Sequence, residues 1–128
     1  MRLLLDTHAL LWSLDGDKRL GPTARSLLAD RVNRILVSKA SLWEIAFKAQ
    51  TGKLNAEIQG ISDTLGRNGV TLLGVGIAHL ITLTGLPRQH CAPFDHLLIA
   101  QAIAESATLI SDDRWMARYP VPVVSCSA

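Results

Sequence analysis

The chain has 128 residues and a formal net charge of +2, a length suited to one domain over residues 1–128 with an ordinary buried core. A hydrophobic content of 48% excludes a disordered polymer, and cysteines at Cys91 and Cys126 alone exclude a disulfide framework. No apolar run forms a secretory leader or reaches the length of a membrane span, so free thiols in the cytoplasm are expected.

Residues 2–5, RLLL, read as a short buried strand, and HALLWSL after Asp6 carries apolar residues at helical spacing. DGDKRLGP (15–22) reads as a loop whose Pro22 opens a second helix, TARSLLADR. RILVS (34–38) is the next buried strand, and an amphipathic helix over 41–54 follows, ending near Gly52. A weaker helix covers 56–66, a third strand 70–75, and a helix over 77–87 closes at Gly85 and Pro87. PFDHLLIAQAIAES (93–106) is the clearest helix, followed by a strand at 107–111, a short helix at 114–119 and a last strand at 121–125. Five strands, apolar throughout and alternating with helices, predict an α/β fold of three layers, α/β/α, around a central and mainly parallel sheet.

In such sheets ligands bind beyond the carboxyl ends of the strands. Asp6 follows the first strand, Asp112 and Asp113 follow the fourth, Glu44 falls in the first turn of the helix after the second, and Asp95 begins the clearest helix. Carboxylates gathered on one edge repel and raise one another's pKa unless a divalent cation holds them, and hard oxygen donors suit Mg²⁺, or Mn²⁺ in its place. Each acid also has a plainer reading. Asp6 can cap a helix, Ser41-x-x-Glu44 fits a capping box, Asp95 suits a helix N-terminus, and Asp112 and Asp113 suit a turn. Four caps, however, have no reason to share one sheet edge. Thr7 and Ser111 are expected to fix neighbouring acids by hydrogen bonds. The histidines lack metal-site spacing and read as structural or surface groups, and Trp12, Trp43 and Trp115 read as core or interface packing.

LLLDTHALLW, SLWEIAFK, PFDHLLIAQA and LISDDRWMARYPVPVV resemble, in this order and over nearly the whole chain, the successive motifs of the PIN-domain family, and within it the VapC-type toxins. The resemblance implies a PIN-like fold and a Mg²⁺-dependent endoribonuclease. It further implies a homodimer, neutralised by a cognate antitoxin protein and in contact with DNA only through that antitoxin. By position it assigns Asp6, Glu44 and Asp95 to the site. Because the fourth family acid lies two residues after a Thr or Ser, Ser111 points to Asp113 and leaves Asp112 as a neighbour. Cys91, Ala92 and His96 depart from the residues common among relatives, and all three lie near the loop before the clearest helix.

The expected chemistry is hydrolysis of an RNA phosphodiester, with Asp6, Asp95 and Asp113 holding one or two Mg²⁺ ions and Glu44 orienting water or completing a second site. Lys39, Arg88 and Arg114 flank the acidic motifs and are candidate contacts to single-stranded RNA. A surface around Trp12, Leu27 and Leu28 is the candidate for the antitoxin. The alternative is a binding protein that keeps the fold without turnover. A phosphorylation receiver is a poorer fit, because VTLLGV ends without an acid, and a haloacid-dehalogenase-type phosphatase needs a second Asp that DTHAL lacks.

Overall fold

Each apolar run becomes a strand in the computed structural model, which describes residues 1–87 and 92–128. Strands β1 (Arg2–Leu5), β2 (Arg34–Ser38), β3 (Thr71–Leu73), β4 (Thr108–Ile110) and β5 (Val123–Val124) pair in the order β3-β2-β1-β4-β5. Every pairing is parallel. Between the strands run α1 (Thr7–Asp15), α2 (Pro22–Ala29), α3 (Lys39–Gln50), α4 (Ile58–Arg67), α5 (Ile77–Thr84) and α6 (Pro93–Ala104). The segment expected as a helix over 114–119 is a single 3₁₀ turn, Met116–Arg118. The expectations for Arg88 and Cys91 fall outside the described residues.

The pleat divides the aliphatic residues between two cores. Leu3, Leu5, Val37 and Ile110 point to one face and pack with Ala9 and Leu10 of α1, Ala24 of α2, Leu42 and Ile45 of α3 and Leu65 of α4. Leu4, Leu36 and Leu109 point to the other and meet Leu98, Ile99 and Ala102 of α6 with Met116 and Tyr119. The strands therefore have no polar face, which is why RLLL and RILVS lack alternation. Full burial of each Leu or Ile contributes about 1.5–3 kcal/mol.

Polar contacts join the layers. The Ser38 hydroxyl donates to Gln101 Oε1 at 2.5 Å and accepts the Ala40 N–H at 3.0 Å, so α3 starts directly from the end of β2. The helix begins at Lys39, two residues before the expected Ser41, and the cap is Ser38. Ser41 lies buried inside the first turns. The capping-box reading of Ser41 and Glu44 is thereby overturned. Gly76 N–H donates to His79 Nδ1 at 2.9 Å, which leaves Nε2 to carry the proton shared with Glu105 at 2.8 Å. Glu105 also accepts from Arg2 at 3.1 Å, tying α5, α6 and β1 together.

The start of α2 has no side-chain cap, because its N-cap residue is Gly21. The Ala128 carbonyl supplies the acceptor instead, taking the N–H groups of Thr23 and Ala24 at 2.9 and 3.4 Å, while Gly21 N–H donates to Cys126 O at 2.9 Å. A Cβ at position 21 would stand 2.1 Å from Ala128 O. Gly21→Ala is therefore expected to displace this segment and uncap α2, at a cost of about 1–2 kcal/mol. Thermal unfolding checks this as a lower Tm, and an unchanged Tm would refute the backbone contact.

Candidate active site

The parallel register sets the acids side by side. Leu5 pairs with both Val37 and Ile110, so the residues that follow β1, β2 and β4 leave the sheet on one edge. Asp6 N–H donates to Ile110 O at 3.1 Å and continues the ladder one step beyond the strand. Helices α1 and α3 start at this edge because they follow strands directly, and α6 starts there because it runs back toward the beginning of β4.

Asp6, Thr7, His8, Trp12, Glu44, Asp95, Asp112, Asp113 and Cys126 line one cavity of about 300 Å³. A larger groove of about 1110 Å³ lies elsewhere and has Asp30 as its one lining acid. The acids gather in the smaller cavity. It contains all four carboxylates that the family motifs assign, drawn from four separate segments.

Asp6 is 5% exposed, and its Oδ1 accepts the Ala9 N–H at 2.7 Å. The plainer reading is thus correct: Asp6 caps α1, and it does so while standing in the cavity. Burial raises its pKa, the Asp113 charge adds to the rise, and hydrogen bonds from Ser111 and Ala9 together with the nearby His8 oppose it. Asp95 occupies the first turn of α6 behind Pro93. Its carboxyl is pushed up to about 7 by burial first, then by the charges of Asp113, Glu44 and Asp6, and by a hydrogen bond with Asp113. Asp95 therefore keeps its proton well above the ordinary carboxylate range when no cation is near, in hydrogen-bond contact with Asp113.

Two hydroxyls organise the acids, though not as neighbours in sequence. Ser111 is hydrogen-bonded to Asp6 and accepts the Asp113 N–H at 2.9 Å. Asp113 Oδ1 accepts the Trp115 N–H at 2.9 Å. Thr7 reaches across to α3 and donates to Glu44 Oε1 at 2.6 Å. The other oxygen of Glu44 pairs with Lys48 one turn on, at 3.1 Å. Glu44 sits in the second turn of α3 rather than the expected first, because the helix starts earlier.

Asp112 and Asp113 part company in the turn. Asp113 faces Asp95, whereas Asp112 accepts a short hydrogen bond from the Ser125 hydroxyl. Burial raises the Asp112 pKa, but hydrogen bonds from Ser125 and Ser127 outweigh it and hold the carboxyl below its usual range. Cys126, whose place in the cavity no sequence motif signals, has its thiol pushed up to about 12 by burial and by Asp6 and Asp112.

The tryptophans differ in burial: Trp12 packs in part against the core, Trp115 is half-buried and Trp43 faces outward. Trp43 is 63% exposed and meets Phe94 edge-on at 4.9 Å. Trp12 lines the cavity, and Trp115 lies under Arg118 at 4.3 Å and Arg114 at 5.8 Å. Among the described residues no three His, Cys, Asp or Glu side chains form a ready-made cage around a single ion. What the arrangement holds is a set of converging carboxylates in which Lys48 pairs with Glu44 and Asp95 is hydrogen-bonded to Asp113.

The fold has clear relatives. The chain is similar to a solved structure of VapBC2 from Rickettsia felis bound to a DNA fragment from its promoter, with 21% identity, TM-score 0.72 and coverage of 97% of this chain and 98% of that one. VapBC-1 from nontypeable Haemophilus influenzae matches with 18% identity, TM-score 0.71 and full coverage of both chains, 100% each. DNA-bound VapBC from Salmonella typhimurium matches with 14% identity, TM-score 0.67 and 98% coverage of each. A comparison with curated protein sequences gave no match. The family model for the PIN domain matches residues 3–122, and with the five-stranded parallel sheet and the acids at its edge this establishes that the chain belongs to the PIN-domain family.

Proposed function

We propose that this protein is a divalent-cation-dependent endoribonuclease of the VapC type, the toxin of a toxin–antitoxin pair. The observation that carries the reading is the convergence of Asp6, Glu44, Asp95 and Asp113 in one cavity, where burial and mutual repulsion push the Asp95 carboxyl up to about 7. A cation would relieve that repulsion. The similarity to VapBC structures supports the toxin assignment and, with it, a protein antitoxin as partner.

The donors fit Mg²⁺ or Mn²⁺: all are carboxylate oxygens, and Mg²⁺ keeps several of its waters and needs only one or two carboxylates, so a three-ligand cage is not required. Asp6, Asp95 and Asp113 would hold the ion. When bound, it acidifies an attacking water and neutralises the charge that builds on the phosphoryl oxygens. Glu44, fixed by Thr7 and Lys48, orients that water. Ser111 keeps Asp6 and Asp113 in mutual register. The Cys126 thiol stays protonated at neutral pH, which removes it as a nucleophile.

Lys39 and Arg114 are exposed beside the acidic segments and serve as contacts to single-stranded RNA. A homodimer is supported by uncovered apolar side chains on two helices, Trp43 and Phe47 of α3 and Ile77, Leu80 and Ile81 of α5. Cytoplasmic action accords with the nature of the substrate, and among the described residues no helix is long and apolar enough to cross a membrane.

Asp6→Asn tests the reading cleanly, because Asn caps helices as well as Asp does while giving up a charged oxygen. Chelator-sensitive cleavage of single-stranded RNA in Mg²⁺ or Mn²⁺ is expected to fall by at least about 100-fold, with the circular dichroism spectrum unchanged. Full activity in this variant removes Asp6 from the chemistry. A wild-type protein that neither binds Mn²⁺ nor cleaves RNA would leave the adaptor reading in its place.

The raised Asp95 carboxyl predicts a pH dependence. The folded Asp95 carboxyl keeps its proton up to about 7, whereas an ordinary carboxyl loses it near 3.8. Between these values the folded state binds more protons than the unfolded one, so stability in chelator falls as the pH rises through that window. Asp95→Asn is expected to flatten the fall, and added Mn²⁺ to oppose it at its upper end. Parallel stability curves for wild type and variant, measured by urea unfolding, would contradict the assignment.

A further inference from the structure

Helix α1 carries a second feature at the mouth of the acidic cavity. Trp12 lines that cavity together with His8 one turn earlier, their ring centroids 6.4 Å apart and the planes inclined by 33°. The Arg19 guanidinium lies over the Trp12 indole, 4.8 Å from its centre. Arg19 is itself fixed in place: its side chain donates to the Asp17 carboxylate from Nε at 3.2 Å and from Nη2 at 2.8 Å. Its backbone N–H donates to the same carboxylate at 2.9 Å, and Asp17 N–H closes the loop onto Trp12 O at 2.9 Å. The loop after α1 thus folds back as a clasp that holds a cation on an indole.

Core packing accounts for part of Trp12, which abuts the cluster around Leu10 and Ala24. It does not account for the side that lines the cavity or for the clamped guanidinium. A polyanion approaching four carboxylates needs positive charge close by, and a single strand is held most generally by aromatic faces with arginine beside them. Resting on the ribonuclease reading, we propose that Trp12 and His8 form a base-stacking wall for the nucleotide next to the scissile phosphate, with Arg19 as the cation for its neighbouring phosphate.

The test is binding of a fluorescein-labelled, mixed-sequence single-stranded RNA 12-mer to the full chain in EDTA, read by anisotropy over a range of salt concentrations. Trp12→Leu keeps an apolar side chain against the core but has no π face, and is expected to weaken binding roughly tenfold or more without changing the salt slope. Trp12→Phe is expected to stay within about threefold of wild type. Arg19→Ala is expected to weaken binding and to make the slope shallower by about one. Binding by Trp12→Leu within about twofold of wild type overturns the proposal, as does a wild-type chain that fails to bind this RNA. A Trp12→Leu variant that holds RNA normally but loses its antitoxin assigns the wall to that protein instead. Mn²⁺-dependent cleavage, measured in parallel, keeps the two readings apart. Missing cleavage with stacking-dependent binding intact refutes the nuclease assignment alone, and normal cleavage with Trp12-independent binding refutes the stacking wall alone.

Discussion

The structure depends on carboxylates that are crowded and cannot swing apart. Asp6 is pinned by the Ala9 N–H, Asp113 by the Trp115 N–H and Ser111, and Glu44 by Thr7 and Lys48. These anchors are backbone groups or neighbours set by the fold, so rotating a side chain away from the cavity means losing a hydrogen bond made in a largely buried place. Electrostatic strain of this kind is relieved by adding positive charge. The proton that Asp95 keeps is one form of it and a divalent cation is another. The same crowding thus raises the Asp95 carboxyl and, on the proposed reading, is what a hard cation would relieve.

Why one edge collects them follows from handedness and direction. Parallel strands joined by helices bring every strand end, and the start of every returning helix, to the same side of the sheet. Asp6 and Ser111 each stand one residue past paired positions, Leu5 and Ile110. Asp95 arrives from the opposite layer, since α6 packs on the face that carries Leu4, Leu36 and Leu109. The cavity is therefore roofed from both faces, and that enclosure supplies the burial which is the largest cause of the Asp6 and Asp95 shifts.

Much of this was legible from residue type and spacing. RLLL, RILVS and ATLIS lack polar alternation because both faces of the sheet are covered, and that absence is what identifies a central parallel strand. The position of Asp6 was legible because it directly follows such a run, whereas the choice of Asp113 over Asp112 came from the family resemblance, through its spacing from Ser111. The start of α3 was not: Ser38 and Ser41 are equally good caps by type, and only the Gln101 side chain of a helix far along the chain shows that Ser38 is used. The pairing of Thr7 with Glu44 is hidden for the same reason, since it joins residues 37 apart in sequence. Cys126 enters the cavity from the end of the sheet without any motif around it. Trp43 was left between core and interface by its type, and only the structure excludes the core, since α3 turns it outward beside Phe94.

The four acids are also unequal, and the inequality bears on the proposed chemistry. Lys48, one turn along the same helix, already answers the charge of Glu44, and Thr7 occupies its other oxygen. Asp112, bonded to Ser125 and Ser127, is likewise provided for. Among the described residues no salt bridge answers Asp6, Asp95 or Asp113, and Asp95 meets the crowding by keeping its proton. A metal gains most where negative charge is least compensated, so on the proposed reading the three aspartates take the ion. Glu44, held by two neighbours at a fixed angle, is suited to directing a water, a task that needs orientation more than charge.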